Sequence, residues 1–329
     1  MILQTMEKRQ TVAQLAAAIP DGACMTFSGF TIWRRPMALV YELVRQKKRH
    51  LHLIEVNGGT HSDILAGAGC VDIWESCFIG HELYGKLGNN MARRIQSGET
   101  ICEDYSHYQI LLRLAAGAAG MPFMATTAAK GTDIMNPAYD MLGRAGLRDG
   151  KNPKIPKKKF DYAQDPFYGD TEYILLPAAQ PDICVAHVHQ IGEMGTVRVE
   201  GQRYSDVEAM KAADRLFVIA EEVVPERYLR DEPAANIIPH YMVERYAEVP
   251  YGAHPTGCFN RYEIDGDFIR DYYTHTKTQE GFDEWAAEWI YGVPDFEAYL
   301  DKIGFSRLQN LTANRAIHYS TTIKRGAKK

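Results

Sequence analysis

Through the first 125 positions, apolar residues recur with two alternating periods. TVAQLAAAI (11–19) has the three-to-four spacing of an amphipathic helix, with Thr11 placed to cap it. ACMTFS (23–28) is a short apolar run ending at glycine and predicts a strand. PMALVYELVRQKK (36–48) predicts the next helix, with Pro36 in the first turn, where proline is tolerated. LHLIEV (51–56), VDIWESCF (71–78) and TICED (100–104) predict three further strands. ELYGKLGNNMARRI (82–95) predicts a glycine-weakened helix, and SHYQILLRLAAGAAG (106–120) a long one. Strands alternating with helices imply a largely parallel, open sheet covered on both faces. In such sheets ligands collect beyond the carboxyl ends of the strands.

The rhythm breaks between residues 130 and 172. Pro137, Pro153, Pro156, Pro166 and a lysine run fall there, with too few apolar residues for a separate core. An irregular surface excursion is expected. Strands resume at EYILLPA (172–178) and DICVAHVH (182–189), then GTVRVEG (195–201), LFVIAEEVV (216–224) and YMVERYAEVP (241–250). The helix SDVEAMKAAD (205–214) lies between them. From about residue 268 the chain is helical, and Phe282, Trp285 and Trp289 share a helical spacing that makes them core or interface anchors. One domain is expected over residues 1–311, followed by a tail over 312–329.

Charge narrows the function. Thirty-seven basic and 42 acidic side chains leave a formal charge of −5, so no field favours nucleic acid or anionic lipid. The basic cluster Lys324–Lys329 is terminal and expected to be solvated. Six cysteines without a C-x-x-C pair suit reduced thiols in a cytoplasmic protein. No apolar run approaches the roughly 20 residues that span a bilayer.

Glycine turns follow three consecutive predicted strands: SGFT (28–31), NGGT (57–60) and CFIGHE (77–82); a fourth strand ends at CEDYS (102–106). Chain order places all four along one edge of a parallel sheet, where backbone amides freed by glycine can cradle an oxyanion or phosphate. No dinucleotide fingerprint, phosphate loop or nucleophile elbow occurs. His187 and His189 in HVH share a strand face, but a clear third ligand is lacking and no metal is expected. Among carboxylates, Glu55 interrupts an apolar strand and faces away from Ile54 and Val56. Glu103 and Asp104 precede a helix that Ser106 or Asp104 can cap, and Glu221 and Glu222 close another strand.

These residues carry a resemblance. SGFT-x-x-x-RP (28–36), EDYS (103–106), G-x-PF (120–123), GTVR (195–198), AEEVV (220–224), YGAHP-x-x-C (251–258), KTQE-x-FD (277–283) and RL-x-NL (307–311) occur here in order. The same series, with almost the same spacing, is found in A subunits of glutaconate CoA-transferases, a branch of the family I CoA-transferases. The resemblance implies a three-layer α/β/α fold and a B-subunit partner of related fold, in a heterodimer or larger hetero-oligomer. It also implies an active site at the interface, with coenzyme A as substrate and no permanently bound cofactor. The nucleophile is then a glutamate of the B chain, which passes through a glutamyl-CoA thioester while CoA moves between an acyl-CoA and a dicarboxylic acid.

On this reading Ser28, Gly29, Phe30, Thr31, Glu55, Asn57, Gly58, Gly59, Gly80 and Ser106 bind substrate. Glu55 matches the nucleophile in position only, because Val56 and Asn57 intervene before Gly58. The chain departs from the branch at Ser28, at Trp33–Arg34 and at His81–Glu82, the last replacing small hydroxyl residues. Relatives on this scaffold open cyclic β-diketone CoA thioesters or decarboxylate acyl-CoAs. In the ring-opening ones an acidic residue of the EDYS region takes part, making Glu103 the first candidate for catalysis in this chain and His81 the second.

Overall fold

A computed structural model of the chain describes residues 8–323. The terminal cluster Lys324–Lys329 and the first seven residues lie outside the described residues. Among the described residues, twelve strands run in chain order: β1 (Cys24–Phe27), β2 (Leu51–Ile54), β3 (Val71–Ser76), β4 (Ile101–Asp104), β5 (Phe123–Thr126), β6 (Asp161–Gln164), β7 (Glu172–Pro177), β8 (Ile183–Gly192), β9 (Val197–Arg198), β10 (Arg215–Val224), β11 (Asn236–Ile238) and β12 (Val243–Glu248). Seven of them form a parallel run in the order β12-β10-β8-β1-β2-β3-β4. β9 pairs antiparallel with the far half of β8, and β11 with β9.

Side-chain alternation along these strands builds the two faces. In β10, Phe217 and Ile219 enter one apolar cluster with helices Val12–Ala17, Met37–Arg45 and Thr60–Gly67 and with the carboxyl-terminal helices. Leu216, Val218 and Ala220 enter the other, with helices His107–Ala118 and Asp206–Ala212. The result is the three-layer α/β/α arrangement, with its core on either side of a mostly parallel sheet.

Local signals explain most boundaries. Thr11 caps its helix through a reciprocal bond with Gln14, and Ser106 does the same with Gln109. The helix expected over 82–95 is instead a short 3-10 turn, Glu82–Tyr84, and a helix from Asn89 to Ser97. At Gly85 the backbone lies so close to the Tyr273 ring that a Cβ would come within 2.5 Å of it. Helix Thr60–Gly67 has no counterpart in the expected elements. All eight of its residues are buried, so it lacks the polar face that makes a helical period visible.

The 130–172 excursion is more ordered than its composition suggests. β6 joins β5 and β7 in a three-stranded antiparallel sheet. Met135, Ile174 and Leu176 form a small apolar cluster that also takes in Leu112 of helix His107–Ala118.

Candidate active site at the carboxyl edge of the sheet

The chain leaves β1 toward β2, β3 and β4 on one side and later returns to β8, β10 and β12 on the other. The β1/β8 boundary is therefore the topological switch point, where open α/β sheets hold their ligands. β1 stops at Phe27, but β8 continues to Gly192. Ser28 fits into that step: its amide donates to Val185 O at 3.1 Å and its Oγ accepts from His187 N at 2.9 Å.

Loop 28–35 is locked in an unusual shape. Gly29, Thr31 and Arg34 all have positive φ (88°, 41° and 52°). A Cβ on Gly29 would stand 2.3 Å from Trp33 O, so only glycine fits there. Thr31 is β-branched, and its backbone conformation costs roughly 1–3 kcal/mol. Buried Arg35 ties this loop to the next by donating to Ser28 O, Thr31 O and Asn57 O. Burial lowers the Arg35 pKa to about 10, against the favourable Glu55 and Asp206 carboxylates, so it stays charged at neutral pH. At Gly59 the two loops touch: a Cβ there would lie 2.0 Å from Thr31 O.

The glycines act by permitting close approach. The Gly29 amide donates to Asp206 Oδ1 at 2.6 Å, and the Gly58 amide to Phe78 O at 2.8 Å. Neither is free for an oxyanion, contrary to the expectation from the glycine turns. Gly80 lies under Phe78, whose ring would meet its Cβ at 2.7 Å. Asn57 is 6 % exposed and its Nδ2 reaches Cys77 Sγ at 3.8 Å.

The candidate acids and bases are placed inside. Glu55 is 1 % exposed and accepts from His61 Nε2 (2.6 Å), Ser62 Oγ (2.6 Å) and Trp74 Nε1 (2.9 Å). Glu103 is fully buried under the excursion, which supplies the Leu142 amide at 2.9 Å, Arg148 at 3.2 Å and Lys159 at 2.7 Å. Burial raises its pKa against those donors. His81 is also fully buried, with Nδ1 3.0 Å from Thr60 Oγ1 and its ring edge-on to Tyr272. Burial lowers its pKa, despite nearby Asp63, so the ring is neutral at pH 7.

Ser106 caps its helix, and the side chains left open along this rim include Phe30, Cys77, Asp104 and His107. Phe30 stacks on Tyr204 at 4.7 Å and lies 5.9 Å from the His107 ring. Arg35, Asp206 and His107 do not stand out in the sequence as site residues. The arginine has a signal in the RP motif, but Asp206 is 172 residues from its partner Arg34 and has none.

Further along the same edge, beyond β8 and β10, an open cleft of about 1000 Å³ is lined by Arg198, Glu222, Tyr228, Arg261 and Arg315. Glu221 also lines it, and behind it lie buried His187 and Cys258, with ligand-type atoms of the three within 4.8 Å of one another. Glu221 already accepts from His187 Nε2 (2.7 Å), Tyr262 OH (2.5 Å) and the Tyr251 amide (2.7 Å). His189 accepts from Glu200 N, donates to Phe259 O, and its Nε2 lies 3.4 Å from Cys258 Sγ. These are the contacts of a hydrogen-bond network.

The buried charges behind the site set an acid limit. Burial and Arg35 lower the His61 pKa to about 4, against the Glu55 carboxylate. Burial raises that of Glu75, but Arg113 and His52 outweigh it and leave it at about 2. Between pH 6.5 and 4 the unfolded chain binds a proton at His61 that the folded chain does not. Glu75 repeats this between 4.5 and 2, so stability falls with pH through both windows. Thermal melts are expected to show a midpoint that declines below about pH 6.5, with His61→Gln making the decline shallower between about pH 6.5 and 4 without abolishing it, because burial also lowers the pKa of His81, His189 and His254. A wild-type midpoint constant down to about pH 4 would contradict this.

A family model for coenzyme A transferases matches residues 9–248. The chain belongs to the coenzyme A transferase family. It is 31 % identical to the A subunit of glutaconate CoA-transferase from Acidaminococcus fermentans, over 93 % of this chain and 94 % of that one. It is 28 % identical to the A subunit of 3-oxoadipate CoA-transferase from Pseudomonas knackmussii, over 87 % and 94 %. The crystal structure of the Acidaminococcus transferase superposes with a TM-score of 0.89 at 30 % identity, covering 95 % of this chain and 98 % of the other. A variant of the decarboxylase AibA/AibB follows at 0.70 and 27 %, covering 86 % and 100 %. The fold and family implied by the sequence motifs are those found, and these two transferase relatives align across nearly the whole length.

Proposed function

We propose that this chain is the A subunit of a heteromeric CoA-transferase that moves CoA between an acyl-CoA and a dicarboxylic acid. The observation that carries the reading is the state of the strand carboxylates at the edge. Glu55, Glu75 and Glu103 are each buried and already paired, so none is poised as a nucleophile. The relatives named as A subunits support a second chain that closes the rim and brings the reactive glutamate. That carboxylate attacks the acyl-CoA carbonyl and the thiolate leaves. The thiolate then takes the glutamyl carbonyl, giving the thioester and the free acid.

Within this chain, Ser28 to Thr31, Asn57 to Gly59, Gly80 and Ser106 shape the acyl pocket, with Phe30 facing the substrate. Glu55, His81 and Glu103 hold that wall from behind, and Asp104 and His107 are the ionisable groups nearest the opening. Coenzyme A enters as substrate, without a resident cofactor or metal. No helix among the described residues is long and apolar enough to cross a membrane, and we place the assembly in the cytoplasm.

The test is reconstitution with the B subunit. The purified chain alone is expected to give no turnover with any acyl-CoA, and the two-chain complex to transfer CoA to dicarboxylic acids. Borohydride or hydroxylamine treatment after acyl-CoA addition is expected to trap a glutamate of the B chain. Full-speed turnover by the isolated chain would overturn the proposal. Stoichiometric release of carbon dioxide without CoA transfer would favour the decarboxylase reading that the AibA/AibB likeness offers.

A further inference from the structure

We infer that Asp206 is a positioning residue that holds loop 28–35 in its strained, substrate-facing form from across the switch point. Its side chain is fully buried at the start of helix Asp206–Ala212. One carboxylate oxygen accepts from the Gly29 amide at 2.6 Å, and the other pairs with Arg34, whose guanidinium also donates to Gln202 O at 2.8 Å. Asp206 therefore grips the loop at both ends of its bend. Between those grips lie Thr31, at a φ of 41°, and Phe30, the side chain facing the opening. Thr31 is 1 % exposed and its Oγ1 finds no hydrogen-bond partner, so nothing in its own side chain favours that conformation. A β-branched residue leaves positive φ unless its surroundings hold it there. The hold comes from outside the loop through Asp206 and the strand-like pairing of Trp33 with Gly257, and from the loop's own end through Arg35.

The catalytic part of this inference rests on the proposed transferase reading; the structural part does not. Trp33 separates the two, because it lies inside the loop, half-buried and stacked on Phe259 with ring centroids 4.2 Å apart. Its emission, obtained as the difference from a Trp33→Phe variant, reports loop shape before any substrate is added.

Asp206→Asn keeps an acceptor for the Gly29 amide but removes the ion pair. It is expected to shift Trp33 emission and, in the two-chain complex, to lower kcat roughly a hundredfold while KM changes by less than about threefold. Adding Thr31→Gly, which makes positive φ unstrained, is expected to restore the emission and at least about tenfold of the rate. Unchanged emission and kcat in Asp206→Asn, or no recovery on adding Thr31→Gly, would overturn the inference. Should Asp206→Asn fail to fold, Thr31→Gly alone decides. An unaltered Trp33 spectrum with a raised melting midpoint supports stored strain, and a lowered midpoint refutes it. A shifted spectrum in Asp206→Asn, alongside a two-chain complex of the unaltered chain that transfers no CoA, sinks the functional reading and leaves the positioning role standing.

Discussion

Replacing Gly59 with alanine is expected to abolish turnover in the two-chain complex by roughly a hundredfold or more. The added methyl would lie 2.0 Å from the Thr31 carbonyl oxygen and 2.9 Å from its Cα. Both neighbours are backbone, so no side chain can swing aside, and the two loops must part. The backbone angle at Gly59 (φ −160°) is one that any residue adopts, so the effect is wholly steric. Overpacking of this kind costs typically about 1–3 kcal/mol. Melting should therefore shift modestly while activity collapses. Gly59→Ala retaining more than about a tenth of the rate would show that the contact between the first two loops does not matter for chemistry.

The second large effect belongs to Arg35. Arg35→Met keeps an unbranched apolar stem but removes the donors that serve Ser28 O, Thr31 O and Asn57 O. It also takes a buried positive charge away from Glu55, which burial disfavours as an anion and which His61 and then Arg35 keep ionised. Removing one partner from a buried charged group costs about 3–5 kcal/mol. In a domain of this size that lowers the melting midpoint by on the order of 10 °C. Arg35→Lys should recover little, because one ammonium cannot reproduce a planar fork that reaches two loops. Calorimetry on the purified variants checks both; a drop of less than about 2 °C for the methionine variant would mean that the loops are held elsewhere.

What the sequence disclosed about the fold followed from local periodicity. β1 to β4 and helix His107–Ala118 each have an apolar rhythm bounded by glycine or a capping serine, and their chain order alone put the four loops on one edge. Helix Thr60–Gly67 escaped because burial on every side removes its period. β5 and β6 escaped for the opposite reason: most of their residues are exposed or half-buried, so their pairing leaves no alternating pattern. In the site, the glycines were legible as turns but their purpose was not, since the close approach of Gly59 to Thr31 joins two segments with no shared pattern. Arg34 with Asp206 is the extreme case. Two buried charges far apart in the chain look, in sequence, like ordinary surface residues. Glu103 was visible as an acid near a helix start, but the lysine and arginine that cover it come from the excursion, whose composition suggested solvent.

The anchoring of loop 28–35 also bears on engineering. Its fixed points are Gly59 from the second loop, Asp206 from a later helix and Gly257 from a turn near the far end of the chain. Transplanting the eight-residue segment from a relative, to import that relative's choice of acid, would deliver it without the hands that bend it. Successful chimeras in this scaffold should exchange such distant positions together, and natural variants should diversify there in concert.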